Sequence, residues 1–191
     1  PLWEVNPDDW WLDVRTSLGG TFNLCRAVLP RMIERCEGCV VNVVSYAAVR
    51  PAPYQTGYAC AKAGVASLTE ALAASLKEHG VKAFSVAPGF TRTEFHQRAG
   101  MGTSNIPSWG WLDADRVVDD SLRDLVLGKT VSVPGKRYKL AVALARLVPS
   151  GRAGDWRSLP RTKSQHCTRA SPAWAGSNWV GPDRRMSPFA R

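Results

Sequence analysis

The sequence predicts an α/β fold in which about three parallel strands, with flanking helices, form part of a doubly wound sheet. Two short apolar runs, residues 40–44 and 81–87, have the length and β-branched composition of buried strands. Between them, residues 58–79 are rich in alanine and leucine and predict a helix. A strand, a helix and a second strand in this order are typical of a parallel βαβ unit.

The first predicted helix begins at Asn6 and runs to about Glu34. Asn6 is a favourable N-cap, and Pro7 suits the first helical position. The carboxylates of Asp8 and Asp9 stabilise the positive end of the helix dipole. Apolar residues then recur at helical spacing and predict the face that packs on the core: Trp10, Val14, Leu18, Phe22 and Leu29.

The part of the chain after the second strand predicts a loop over residues 94–111, a helix from Asp113 to about Leu127 and a last short strand over 130–133. Residues 136–148 then form a basic amphipathic helix. We expect this helix to pack on protein, either on its own core or on a sister subunit. Contact with a membrane surface is the alternative, because basic amphipathic helices also lie on lipid headgroups.

Composition divides the chain into residues 1–149, which carry the predicted elements, and a low-order basic tail over 150–191. The first part holds 17 basic and 14 acidic residues, whereas the tail holds 8 and 2, so the net charges are +3 and +6. The tail has no helical or strand periodicity, so it is either disordered or an out-of-frame translation of GC-rich DNA. Because the positive excess lies in the tail, we expect no nucleic-acid partner. The alternative is single-strand binding by three tail tryptophans: Trp156, Trp174 and Trp179.

The cysteines indicate neither a disulfide framework nor a metal site. Their number, five, is odd, and only Cys36 and Cys39 form a C-x-x-C pair. A zinc site needs further ligands, and none accompanies this pair at a suitable spacing. The sequence also has no apolar run of about 18 residues and no signal-peptide pattern at its start. We therefore expect no metal and a cytoplasmic location.

One group of residues points to acid–base chemistry: Tyr58 and Lys62, with Ser45 at the end of the first predicted strand. Tyrosine is a weak acid near neutral pH, because the reference value for a phenol is about 10. A cation one helical turn away favours the phenolate, and positions i and i+4 share a helix face. The serine hydroxyl would bind a carbonyl oxygen at the same place. The three residues therefore suit the interconversion of a carbonyl and an alcohol.

The order of these residues, followed by a Pro-Gly-x-x-x-Thr turn at 88–93, resembles the short-chain dehydrogenase/reductase family over about residues 2–149. The resemblance implies a Rossmann-like fold and hydride transfer between NAD or NADP and a small carbonyl or secondary alcohol substrate. It implies that Tyr58 is the general acid/base, that Lys62 binds the nicotinamide ribose and assists Tyr58, and that Ser45 orients the carbonyl. A homo-oligomer is also usual for such enzymes.

The same resemblance implies further binding residues. Tyr58 and Lys62 belong to the cofactor site as well as to the catalytic group. The turn is implied to hold the nicotinamide end of the cofactor through five residues: Pro88, Gly89, Phe90, Thr91 and Thr93. The loop after the turn corresponds to a substrate lid. In it, Trp109 and Trp111 either line an apolar substrate pocket or hold the loop on the core.

The chain departs from the family pattern at two places. Ser17 occupies the position where the family usually has asparagine, and a hydroxyl offers fewer hydrogen-bonding groups than an amide. It either takes part in a proton relay or only faces a neighbouring helix. The sequence also has no G-x-G-x-x-G turn between a strand and a helix, the usual cradle of the pyrophosphate. The alternative to an active oxidoreductase is therefore an inactive fragment or pseudogene product that is unable to bind cofactor.

Overall fold

The computed structural model describes residues 2–98, 102 and 106–147. The strands in these residues are β1 (Gly38–Val43), β2 (Val81–Val86) and β3 (Val131–Ser132). The helices in the same residues are α1 (Pro7–Val14), α2 (Gly20–Glu34), α3 (Thr56–Leu76), α4 (Phe95–Arg98), α5 (Ala114–Val126) and α6 (Lys136–Leu147). The predicted basic tail and its tryptophans lie outside the described residues.

A parallel sheet in the order β1-β2-β3 forms the centre of the fold. β1 and β2 pair in register from Gly38 opposite Val81 onward. At the carboxyl ends of the strands, Val86 of β2 lies between Val43 of β1 and Ser132 of β3. α3 connects β1 to β2, as a crossover between parallel strands requires. The predicted α/β class and the three parallel strands are confirmed.

One face of the sheet is covered by α2 and α3. A buried cluster joins Leu76 of α3 to Val81 and Ala83 of β2, and side chains of α2 pack against it. A second buried cluster, nearer the start of α3, contains Val65. Full burial of an aliphatic side chain contributes about 1.5–3 kcal/mol, so these clusters fix α3 firmly on the strands.

The opposite face of the sheet is covered unevenly. Ser132 of β3 donates to Asp124 of α5 at 2.7 Å, which places α5 on this face. Phe84 of β2, whose side chain points to the same side, is fully buried. On β1, however, Val41 and Val43 remain 47% and 61% exposed. Within the described residues, β1 therefore has one covered face and one open face.

The first predicted helix is present as α1 and α2, joined by a π-helical turn over residues 15–19. Asn6 Oδ1 accepts a backbone N–H of α1 at 2.8 Å and caps the helix as predicted. Leu18 and Leu29 of the predicted apolar stripe pack against the core, whereas Phe22 is 49% exposed. π-turns are rare and are often found at functional sites, and this one contains Ser17.

A buried carboxylate joins α5, β3 and α6. Asp124, with only 4% of its side chain exposed, accepts from Ser132 Oγ and from the ammonium groups of Lys129 and Lys139. Burial raises the pKa of Asp124, but hydrogen bonds from Lys129, Ser132 and Lys139 outweigh that effect and hold the pKa at about 2. The end of the sheet at β3 is therefore fixed by charge as well as by apolar packing.

The basic amphipathic helix α6 lies on its own chain. Val142 is buried and Tyr138 is half-buried, whereas Leu140 and Leu144 are 60% and 53% exposed. This packing fits the prediction that the helix lies on protein. A search of the described residues finds no helix with the length and apolar character needed to cross a bilayer.

Candidate active site

Ser45 follows β1 at the carboxyl end of the sheet. The pairing with β2 continues beyond the strand, because the Val44 N–H donates to Val86 at 2.8 Å and the Tyr46 N–H donates to Pro88 at 3.0 Å. Ser45 therefore lies beside the start of the Pro-Gly turn. Its Oγ accepts the Ala47 N–H at 3.1 Å. The hydroxyl is held in place by this bond, and its proton remains available to a substrate oxygen.

Tyr58 and Lys62 share a face of the first half of α3. The Lys62 Nζ lies 5.8 Å from the centroid of the Tyr58 ring and donates to the Val43 carbonyl at 3.0 Å. Val43 is the last residue of β1, two positions before Ser45. Lys62 therefore contacts both the predicted acid/base and the strand that carries the predicted serine.

The electrostatics of Lys62 differ from those of an ordinary surface lysine. Burial lowers the pKa of the Lys62 ammonium. No described acidic residue forms an ion pair with it, and the Val43 carbonyl uses one of its three N–H donors. The remaining donors and the unneutralised charge are available to a phenolate or to the hydroxyl groups of a ligand.

The Pro-Gly turn follows β2 and lies next to Ser45 at the same edge of the sheet. Thr91 Oγ1 donates to the Gly89 carbonyl at 3.1 Å, and Thr93 Oγ1 accepts the Phe95 N–H at 3.3 Å. Both threonines thus stabilise the turn itself. The carboxyl ends of neighbouring parallel strands are where open α/β sheets bind their ligands.

Tyr138 of α6 packs against this turn. The sequence motifs did not identify this residue. Its hydroxyl accepts the Phe90 N–H at 3.1 Å and donates to the Gly110 carbonyl at 2.8 Å. A Cβ on Gly89 would lie 2.0 Å from the Tyr138 ring, so only glycine permits this approach. The Tyr138 ring also packs edge-on against Tyr46, with centroids 5.3 Å apart. Leu140 and Leu144, which belong to the apolar face of the predicted amphipathic helix, are exposed instead, so the amphipathic pattern does not indicate Tyr138.

A cavity of about 730 Å³ opens beside Tyr138, between the loop over 106–112, α5 and α6. Trp109 and Trp111 both line it, as does Tyr46, the residue after Ser45. The two tryptophans also hold the loop, because Arg137 lies over the Trp109 ring and Arg92 over the Trp111 ring. Both tryptophans therefore line a cavity and also hold the loop, and their contact with a substrate stays a prediction.

Ser17 lies in the π-turn between α1 and α2, a segment that packs against α3. Its neighbour Leu18 would lie 2.9 Å from a Cβ on Gly64 of α3, so the two helices approach closely here. The Ser17 carbonyl accepts from Thr21 Oγ1 at 2.7 Å. A relay through the Ser17 hydroxyl stays a prediction.

The C-x-x-C pair lies away from this site, between α2 and the start of β1. Cys36 and Cys39 are both exposed free thiols. Across the part of the chain that the structure describes, His, Cys, Asp and Glu side chains form no group of three that suits a metal ion.

Comparison with known proteins gives a consistent result. A family model described as short chain dehydrogenase matches residues 1–102, just over half of the chain. The 3-oxoacyl-(acyl-carrier-protein) reductase of Chlamydia trachomatis is 28% identical over 144 residues, which is 75% of this chain and 52% of that protein. The chain matches between 28% and 61% of the length of these curated relatives.

Two solved structures are also similar. A short-chain dehydrogenase from Burkholderia cenocepacia in complex with NADP superimposes with a TM-score of 0.65 and 25% identity, over 78% of this chain and 60% of that one. A 3-oxoacyl-(acyl-carrier-protein) reductase from Brucella melitensis with bound NAD gives a TM-score of 0.53 and 32% identity, over 63% and 46%.

Proposed function

The chain belongs to the short-chain dehydrogenase family, and on that premise we propose that it is an NAD(P)-dependent oxidoreductase that interconverts a carbonyl and a secondary alcohol. The observation that carries the proposal is the double contact of Lys62. Its ammonium faces the Tyr58 ring and also binds the end of the strand that leads to Ser45. Lys62 thus links the proposed acid/base on α3 to the segment that carries the proposed hydroxyl, Ser45.

The residues present fit the nicotinamide end of the cofactor. Lys62 has free N–H donors and no acidic partner among the described residues, so ribose hydroxyls would satisfy it. The turn at 88–93 lies next to Ser45, at the sheet edge where such ligands bind. Relatives with NADP or NAD bound support the same assignment. A bound nicotinamide supplies or accepts the hydride at the carbonyl carbon.

In this proposal, the residues of the chain manage the oxygen and its proton. Ser45 Oγ accepts the Ala47 N–H, and its O–H donates a hydrogen bond to the substrate oxygen, which polarises the carbonyl. Tyr58 donates a proton to that oxygen during reduction and accepts it during oxidation. Lys62 stabilises the phenolate that Tyr58 becomes. Each role matches the group that the residue presents.

Two further roles remain proposals of the same kind. We propose that Trp109 and Trp111, which line the cavity beside Tyr46, contact the substrate. Ser17 is proposed to pass protons between Tyr58 and solvent. An unchanged pH–rate profile in a Ser17→Ala variant of an active enzyme would exclude that relay. A homo-oligomer stays a prediction.

The alternative is a chain that neither binds cofactor nor turns over. One observation favours it: the open face of β1, where Val41 and Val43 remain exposed. Apolar side chains on a strand of a doubly wound sheet are normally covered on both faces, and an uncovered face favours aggregation.

The test is the oxidation of NADH and NADPH by the full 191-residue chain in the presence of a panel of ketones and aldehydes. Cofactor binding is measured in parallel from nicotinamide fluorescence. Cofactor consumption with an equal amount of alcohol product supports the proposal. Binding without turnover on any carbonyl contradicts it, and the absence of both binding and turnover supports the alternative.

A further inference from the structure

Three basic residues line the cavity beside Tyr138. Arg116 of α5 and Lys136 and Arg137 of α6 are all lining residues. Neither Arg116 nor Lys136 forms an ion pair or a side-chain hydrogen bond with any described residue. Arg137 differs, because its guanidinium donates to the Trp109 carbonyl at 2.9 Å. Two unpaired cations therefore lie at this cavity, and Arg137 is the one that helps to hold the loop.

No acidic side chain in the described residues forms an ion pair with Arg116 or Lys136. Among the described residues, none of the side chains that line the cavity is acidic. One acid contacts a lining residue: Asp120 accepts the Gly135 N–H at 3.0 Å. The other carboxylate oxygen of Asp120 lies 3.8 Å from Arg123, so this acid is already engaged. Elsewhere in the same part of the fold, Asp124 pairs with two lysines. Other described cations also lack ion pairs, and what distinguishes Arg116 and Lys136 is their position at an apolar cavity.

The rest of the cavity is suited to an apolar ligand. Aromatic and aliphatic side chains supply most of the lining, including Phe90, Trp111 and Leu112. Its volume of about 730 Å³ lies within the range of small-molecule sites. Tyr46, which follows Ser45 in sequence, belongs to this lining. An apolar body that fills the cavity would contact Tyr46, and a charged end would lie near the cations.

We propose, on the basis of the proposed function, that the substrate is an apolar carbonyl compound that carries an anionic group, bound by Arg116 and Lys136. Burial of apolar surface contributes to affinity but does not orient the ligand. A carboxylate or phosphate between two unpaired cations adds charge-assisted hydrogen bonds, which are stronger and more directional than neutral ones. The anionic end therefore determines which apolar molecules are selected and how they are oriented.

The test is calorimetric binding to the full chain with three probes: a medium-chain oxo fatty acid, its methyl ester and an alkyl phosphate of the same length. We expect both anions to bind about tenfold more tightly than the ester, the size of effect that hydrogen bonds to charged groups give. The preference should decrease at high salt, because exposed charges are screened. The two anions separate a carboxylate site from a phosphate site.

Matched variants test whether Arg116 and Lys136 cause the preference for the anions over the ester. The double variant Arg116→Gln/Lys136→Gln should bind the anions about as weakly as the ester and leave the affinity for the ester within about twofold. The control Arg26→Gln/Lys77→Gln removes the same charge from exposed positions outside the cavity and should keep the preference. Equal affinity of the wild-type chain for acid and ester, failure of all three probes to bind, or a preference that survives in the double variant would overturn the inference.

Binding and turnover distinguish this inference from the proposed function. The calorimetry needs no cofactor and no catalysis, so an anion preference without turnover on any carbonyl supports the anion site and counts against the oxidoreductase. Reduction of neutral ketones as efficiently as oxo acids supports the oxidoreductase and overturns the anion site.

Discussion

Lys62 and Asp124 are both charged and both at least partly buried, but they differ in their hydrogen-bond and ion-pair partners. Asp124 receives hydrogen bonds from Ser132 and two lysines. Lys62 has a single bond to the Val43 carbonyl and no acidic partner among the described residues. Accordingly, the pKa of Asp124 is lowered to about 2 despite burial, which favours its charged form. Burial lowers the pKa of Lys62, which disfavours its charged form.

We infer that the difference separates a charge with a structural role, Asp124, from one with a proposed functional role, Lys62. A buried carboxylate with a full set of donors stabilises the elements that it joins. A half-buried ammonium without a counter-ion contributes little to stability, and its charge is free to act on a neighbouring group or a ligand. We therefore expect changes at Asp124 to affect folding and changes around Lys62 to affect chemistry.

The largest expected effect is at Tyr58. We expect Tyr58→Phe to lower turnover by about 10²–10⁴-fold, because it removes the group proposed to give and take the proton. Cofactor binding and the free energy of unfolding should change little, since the ring remains. The measurement is steady-state kinetics combined with urea unfolding.

Tyr54→Phe is the matched control for this change, because Tyr54 lies in the loop before α3 and is 55% exposed. It should keep full turnover. Activity in Tyr58→Phe equal to that of this control would show that Tyr58 is not the acid/base.

The second largest effect is at Asp124. We expect Asp124→Asn to lower the free energy of unfolding by about 2–4 kcal/mol, because two lysines and Ser132 lose a charged acceptor. Asp119→Asn, on an exposed position of the same helix, should change it by less than about 0.5 kcal/mol. Urea unfolding of both variants measures the difference. Equal stability of the two variants would mean that the buried carboxylate does not fix β3 and α6.

Acid should remove the same contribution in the wild-type chain. The pKa of Asp124 is about 2 in the folded chain against an ordinary value of 3.8, so the unfolded chain binds the proton first as the pH falls. The stabilisation, about 2 kcal/mol, is complete above pH 3.8 and lost as the pH falls through about 2. Unfolding measured between these limits should show a steeper loss for the wild-type chain than for Asp124→Asn. Parallel curves would contradict the assignment.

The smallest effect on stability is expected at Lys62. Lys62→Met removes one hydrogen bond, but it also removes a cation that burial disfavours, so the free energy of unfolding should change by less than about 1 kcal/mol. Turnover should be lost, because the phenolate of Tyr58 no longer has its cation. A variant that loses several kcal/mol of stability would place Lys62 in the same class as Asp124 and remove the contrast between them.

The sequence predicted the parts of this fold that depend on local patterns. Asn6 and Asp113 cap their helices as the N-cap rule predicts. The spacing of Tyr58 and Lys62 placed them on one face of α3, because that geometry follows from the helical repeat alone. These features needed no knowledge of distant contacts.

The parts that were not predicted depend on contacts between distant segments. Tyr138 is bonded to Phe90 across 48 residues, and no pattern within the helix indicates that contact. Arg116 and Lys136 belong to different helices and come to one cavity only through the tertiary fold. Asp124 lies in a charged stretch of sequence that predicts an exposed helix surface, although its side chain is buried.

The most direct test of the active-site proposal follows a labelled hydrogen. The full chain is incubated with NADH or NADPH carrying deuterium at both hydrogen positions of the nicotinamide C4 and with an oxo fatty acid, and the product is examined by mass spectrometry. The proposal predicts an alcohol with one deuterium on the carbinol carbon, formed by the wild-type chain and by Tyr54→Phe but not by Tyr58→Phe. Unlabelled alcohol, equal labelling by Tyr58→Phe, or no product from any carbonyl compound would contradict it.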